Sequence, residues 1–168
     1  MMLTTTIWLL RVCNWLNWIL AALFAALGSM LLIDPNQFRE RFIAVFSNTG
    51  GEAIFIYLAL ACAAVLPVAF AIHLILTRLI ALVRDTQAGA AFSERNAKRL
   101  ATVAWALLAI NLLDLAFGQV SIWASEVSGE YFGWSPSVAG WLAVPLLLVL
   151  AKVFREGAAM REDLEGTV

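Results

Sequence analysis

The stretch RDTQAGAAFSERNAKRL, Arg84 to Leu100, gathers charge in a chain that otherwise has little of it, between two runs built almost wholly from Ala, Val, Leu, Ile and Phe. The run before it, Ala53 to Thr77, carries no formal charge, and the run after it, Leu100 to Ser125, is interrupted only by Asp114. Two more uncharged runs extend from Val12 to Ile33 and from Tyr131 to Ala151. As a helix, each can cross a hydrocarbon core about 30 Å thick. The composition agrees: of 168 residues, 62% are hydrophobic and 14% charged, and the mean hydropathy is +0.86, far from soluble-domain values.

Lipid offers the backbone no hydrogen-bond partners, so only helices and closed barrels cross it. The runs are too long for barrel strands of about 9–11 residues. The expected fold is therefore all-α, an integral membrane four-helix bundle of up-down topology forming a single membrane domain over 1–168, with helices at about 11–33, 53–77, 101–124 and 136–154. A secretory signal competes for the N-terminus, since AALFAALGSM offers small residues. Its apolar core would be about 7–15 residues, shorter than Val12 to Ile33, so that run reads as a retained span.

Lys and Arg set the orientation. With both termini cytoplasmic, Arg11, Arg78, Arg84, Arg95, Lys98, Arg99, Lys152, Arg155 and Arg161, nine of the eleven, lie inside, and only Arg39 and Arg41 lie outside. That split fits the positive-inside rule for a multi-pass membrane protein. The quoted stretch becomes part of a cytoplasmic link over 78–100, and 155–168 a cytoplasmic tail. Gly89 can end a helix continuing from the second span, and Ser93 can cap one leading into the third. In the outer loop, Asp34, Pro35 and Gln37 have the spacing of a helix start, and Phe38, Phe42, Val45 and Phe46 share a face, so an interfacial helix is expected at about 35–47. Tyr131, Phe132 and Trp134 read as an aromatic belt, and Ser135 with Pro136 as the start of the last span.

Polar groups inside the bilayer are costly and so are functional candidates. Asp114 lies about 20 Å along its helix from Arg99, with Asn111 one turn earlier on the same face. The pair reads either as an ion or proton site or as a neutral carboxyl hydrogen-bonded to Asn111 or to a neighbouring helix. Asn14, Asn17 and His73 share a depth below the cytoplasmic surface and can form a hydrogen-bonded packing cluster between the first two spans. His73 is the only histidine, and pH sensing is its functional reading. One His and two Cys provide no usual metal site, and Cys13 and Cys62 differ too much in depth to pair. The sequence contains no phosphate loop, no nucleophile elbow and no zincin motif, and neither an enzyme nor a cofactor is expected.

The segment LVRDTQAGAAFSERNAKRLATVAWALLAI, with Gly89, Phe92, Asn96, Arg99 and Leu100, and the ending LAKVFREGAAMREDLEGTV, with Phe154, Arg155, Gly157, Met160, Arg161, Glu162 and Asp163, together resemble a bacterial family of small four-helix membrane proteins, domain of unknown function 2975. Ala90 and Ala91 stand where the family often has Pro before the Phe. The resemblance implies no activity or cofactor. It does imply a cytoplasmic helix-turn-helix regulator as partner, and a sensor or docking role in which Gly89, Phe92, Asn96, Arg99, Arg155, Gly157, Arg161, Glu162 and Asp163 form the partner surface. Other partners expected are the lipid bilayer, through the spans and through basic residues on anionic headgroups, and further copies of the chain. Direct nucleic-acid binding is not expected. The rival readings are a small transport or channel subunit using Asn111 and Asp114, and a structural subunit of a membrane complex.

Overall fold

The computed structural model describes residues 2–45 and 50–165. It contains five helices, α1 (Met2–Ile33), α2 (Pro35–Val45), α3 (Gly51–Gln87), α4 (Glu94–Ser128) and α5 (Val138–Glu165), and no strand among the described residues. All but α2 are long and apolar enough to cross a membrane. These four exceed the uncharged runs, because a helix does not stop where the bilayer does. α3 has 37 residues, which at 1.5 Å per residue is about 55 Å against a core of about 30 Å. Its last turns, from Arg78 to Gln87, bring in the charges of Arg78, Arg84 and Asp85, and the start of α4 from Glu94 to Arg99 is polar. Pro67 and Pro145 both sit inside unbroken helices.

Side-chain size is sorted opposite to a soluble core. The most enclosed residues are small: Ala97, Ala104 and Ala124 have no exposure, and Ala21, Ala53, Ala69 and Ala151 are buried. The large ones point outward, with Trp15 72% exposed and Leu23 60% on α1, and Leu146 68% on α5. Small residues let helix backbones approach closely, and lipid solvates the large apolar side chains that water would not.

Helix ends follow local chemistry. Asp34 Oδ1 accepts from the Gln37 amide at 3.2 Å, and Pro35 opens α2 where its missing N–H costs nothing. The described part of α2 ends at Val45; Phe46, Asn48 and the side chains of Phe42 and Val45 lie outside the described residues. Arg39 of α2 pairs with Glu52 at the start of α3 at 2.7 Å, both exposed. α5 begins later than expected: Ser137, not Ser135, caps it, its Oγ accepting from Gly140 N at 3.2 Å. Pro136 occupies the residue before that cap, outside the helix.

Packing divides the chain into two compact units, and α1, α3 and α4 each supply a segment to both. The second unit comprises Trp18–Ala69 and Leu112–Pro136. Within it, Gly28 of α1 lies so close to α3 that a Cβ there would stand 3.1 Å from Cys62 Cβ. Tyr57 packs against Phe117 and Phe132, at ring distances of 5.2 and 4.4 Å. Ser125 Oγ accepts from Phe132 N at 3.0 Å and ties the 129–136 loop to α4. The expected belt divides accordingly. Tyr131 is 89% exposed, whereas Phe132 packs inward and the Trp134 indole covers Gly118, where a side chain would collide with the ring.

Candidate functional site

The first unit comprises Met1–Asn17, Phe70–Asn111 and Ser137–Val168 and holds the link and the tail. α3 ends in a reciprocal C-cap: Gly89 N donates to Thr86 O at 3.1 Å and Ala90 N to Asp85 O at 2.9 Å. This closure needs a left-handed residue, and Gly89 has φ 77°. Four residues later Ser93 caps α4, its Oγ accepting from Asn96 N at 3.3 Å. The turn therefore satisfies most of its backbone from its own residues.

Asn96 welds this turn from inside. It is fully buried. Its Nδ2 donates to Ala90 O at 3.1 Å and to Ala91 O at 3.0 Å, and its Oδ1 accepts from Arg99 Nη1 at 2.7 Å. An amide is the only small side chain that offers two donors and an acceptor in this arrangement. Arg99 Nη1 also reaches Asp85 Oδ2 at 2.6 Å, with side-chain exposures of 16% and 28%. The end of α3 and the start of α4 are thus bridged by one charge-assisted contact and one amide.

The tail lies on this turn. Phe92 stacks on Phe154 of α5, ring centroids 5.0 Å apart. Gly157, one turn on, leaves room for the same ring, since a Cβ there would stand 3.0 Å from Phe92 Cδ1. Arg161, one turn further again, donates from Nη1 to Gly89 O at 3.3 Å. Phe154, Gly157 and Arg161 share a helix face by their spacing, and that face is the one laid against the link.

The residues singled out in the link and tail fall into two groups. Asn96 is enclosed and Arg99 largely so, which removes Asn96 from any contact surface and makes both part of the internal frame. Gly89 and Gly157 are backbone sites of that frame. Phe92, Arg155, Arg161 and Glu162 are exposed, and the Asp163 side chain lies outside the described residues. Lys98 pairs with Glu94 at 2.8 Å and Lys152 with Glu156 at 3.8 Å, both exposed i,i+4 pairs of little energetic weight.

Within the spans, His73 Nδ1 of α3 lies 2.8 Å from Asn14 Oδ1 of α1. With Nδ1 protonated the ring donates to the amide oxygen. Asn17 is half-buried one turn on from Asn14. Asn111 is 5% exposed, yet its Nδ2 has no partner among the described residues. Its Oδ1 lies over Gly140 of α5, 2.5 Å from where a Cβ would be. Asp114 is half-buried and makes no hydrogen bond or ion pair among the described residues, so the Asn111 to Asp114 bond expected from their spacing is not made. The Asn111 amide is turned toward α5 instead. Cys13 is exposed and Cys62 buried, both free. Among the described residues no group of three or more His, Cys, Asp or Glu is arranged to hold a metal ion.

Sequence reasoning missed Asp85 as the partner of Arg99 and Gly140 as the neighbour of Asn111. A glycine inside an apolar helix was the available signal for the second; the first had none, because the pair closes only through the turn.

No curated protein and no solved structure matches the chain. A family match extends over residues 14–168, taking in α3, α4 and the tail with the Gly89, Phe92, Asn96, Arg99 and Gly157 frame, together with most of α1. The chain, with four helices fit to cross a membrane, therefore belongs to the family described as Protein of unknown function (DUF2975).

Proposed function

We propose that this integral membrane protein resides in the bacterial inner membrane with both termini and the link in the cytoplasm, and that it works by binding, presenting its tail as a docking element for a cytoplasmic protein. A helix-turn-helix regulator is the partner that the family resemblance implies. The observation that carries the reading is the contrast between the turn and the tail. The turn is braced internally by Asn96, Arg99 and Asp85, whereas the tail lies on its surface through the Phe92 and Phe154 rings, Phe92 being 49% exposed, and through exposed contacts that include Arg161 to Gly89 O. A rigid platform with a lightly held arm is a two-state element that a signal in the membrane can bias. The split of Lys and Arg, nine on the side of the link and termini against Arg39 and Arg41 on the other, supports the cytoplasmic placement.

The test is affinity capture from detergent extracts with the full chain and with a chain lacking residues 155–168. A specific cytoplasmic protein retained by the first and lost with the second supports the reading. Identical captured sets from both chains overturn it.

A second reading has one observation in its favour: Asp114, half-buried in an apolar helix without a partner among the described residues, is the kind of group that lines a path for ions or protons. Asp114→Asn discriminates. Under the transport reading it abolishes proton or cation flux in proteoliposomes; under the docking reading it leaves capture through the tail unchanged.

A further inference from the structure

α5 does not start at the membrane surface. Its first turn lies beside Asn111 of α4, whose Oδ1 stands 2.5 Å from where a Gly140 Cβ would be. Asn111 is twelve residues from Arg99, and Gly140 is twelve from Lys152, so both helices place this contact about 18 Å from their cytoplasmic charges. A hydrocarbon core about 30 Å thick extends well beyond that depth. The chain comes down to it from the other side through the non-helical segment 131–137. Two contacts mark the descent along α4: Phe132 N bonds to Ser125 Oγ, and farther in the Trp134 indole covers Gly118.

Donors collect at this turn. Ser137 Oγ accepts from Gly140 N and Ser137 O from Trp141 N, which leaves the Val138 and Ala139 N–H groups without a hydrogen bond among the described residues. Both residues are exposed. Asn111 is 5% exposed, and neither its amide nitrogen nor its oxygen has a partner among the described residues. An unpaired buried amide and two open N–H groups are costly at a depth that bulk water does not reach. The positive end of α5 adds to their pull on an acceptor. α4 has no Lys or Arg after Arg99, and α5 has none before Lys152, so the donors are neutral.

We propose that the first turn of α5 and the Asn111 amide bind the acceptor oxygen of a membrane-soluble ligand, a carboxyl or carbonyl group on an apolar body. The site opens sideways. Val138, Leu142, Leu146 and Val149 form an exposed apolar face that runs along α5 from the open N–H groups. A molecule at this depth arrives through lipid, and its apolar part lies along that face while its oxygen takes the donors. Phospholipid ester oxygens stay at the edge of the core, about 10 Å farther out, so bulk lipid does not serve the site. The assignment is independent of docking through the tail.

The test uses the full chain in dodecyl maltoside with cis-parinaric acid as the probe, its binding read by energy transfer from tryptophan. The probe binds saturably. Oleate displaces it, decylubiquinone displaces it as well if a neutral carbonyl is also accepted, and octadecane, which has no oxygen, does not. Asn111→Leu weakens probe binding by about twofold to tenfold, the worth of one hydrogen bond. Gly140→Ala, whose Cβ pushes the Asn111 amide aside, weakens it likewise, whereas Leu23→Ala on the exposed face of α1 does not. Thermal unfolding verifies that each variant is folded. No saturable binding, displacement by octadecane as complete as by oleate, or unchanged binding in either folded variant of the turn overturns the proposal.

Discussion

Arg99 of α4 reaches back across the link to Asp85 of α3, Nη1 to Oδ2 at 2.6 Å, and the same nitrogen donates to the buried Asn96 amide. The two long helices are therefore joined by their side chains as well as by the turn. A double-mutant cycle on Asp85→Asn and Arg99→Gln, read by thermal unfolding in detergent, returns a coupling of about 1–3 kcal/mol, the range for a charge-assisted hydrogen bond that is partly shielded from water. The exposed Arg39 and Glu52 pair gives no more than about 1 kcal/mol in the same assay. Equal couplings for the two pairs contradict the frame described for the link.

No other side chain of this shape reproduces the hydrogen bonds of Asn96. Asn96→Leu keeps the branching at Cγ but is larger, strips partners from the Ala90 and Ala91 carbonyls and from Arg99, and costs about 1–3 kcal/mol or more. Asn96→Asp is at least as damaging, because a carboxylate then faces two carbonyl oxygens where the amide donated. Unfolding temperatures of the two variants check the order.

Gly157 decides whether the tail lies on the link. Gly157→Ala asks the Phe92 ring to move by a few tenths of an ångström and is tolerated. Gly157→Leu forces ring and helix apart, and trypsin then cleaves at Arg155 and Arg161 several times faster than in the unaltered chain. Unchanged cleavage means the tail does not rest there.

The His73 and Asn14 contact at 2.8 Å lies between apolar helix faces, where interhelical hydrogen bonds average about 0.6 kcal/mol and reach about 1.7 kcal/mol. Asn14→Ala and His73→Ala each destabilise by about that amount beyond their packing loss, and the double variant is no worse than the sum less the coupling. Strict additivity in thermal unfolding removes the bond from the account.

The spans were legible from sequence because lipid excludes charge: Val12 to Ile33 and Ala53 to Thr77 announce themselves by what they lack. Their true lengths were not, since α3 runs on through Arg78 and Arg84 and α5 through Arg155 and Arg161, where water tolerates a helix that charge-free counting ignores. Asp34, Gly89 and Ser93 could be assigned because a cap depends on residues within a few positions. Asn111 could not. Its spacing to Asp114 favoured a bond along α4, but the amide turns to the bare backbone at Gly140 on another helix. The neighbour of Trp134 was hidden for the same reason, because the groove that admits its ring exists only where Gly118 leaves α4 without a side chain.

The central claim is that link and tail form one element on the cytoplasmic side of the membrane. A membrane-impermeant thiol reagent applied to Gln87→Cys and to Ala159→Cys, both at exposed positions and in the Cys13→Ser, Cys62→Ala background, tests it directly. Both sites react in inverted vesicles and neither in intact spheroplasts if the account holds; reaction of either site from outside the cell contradicts it.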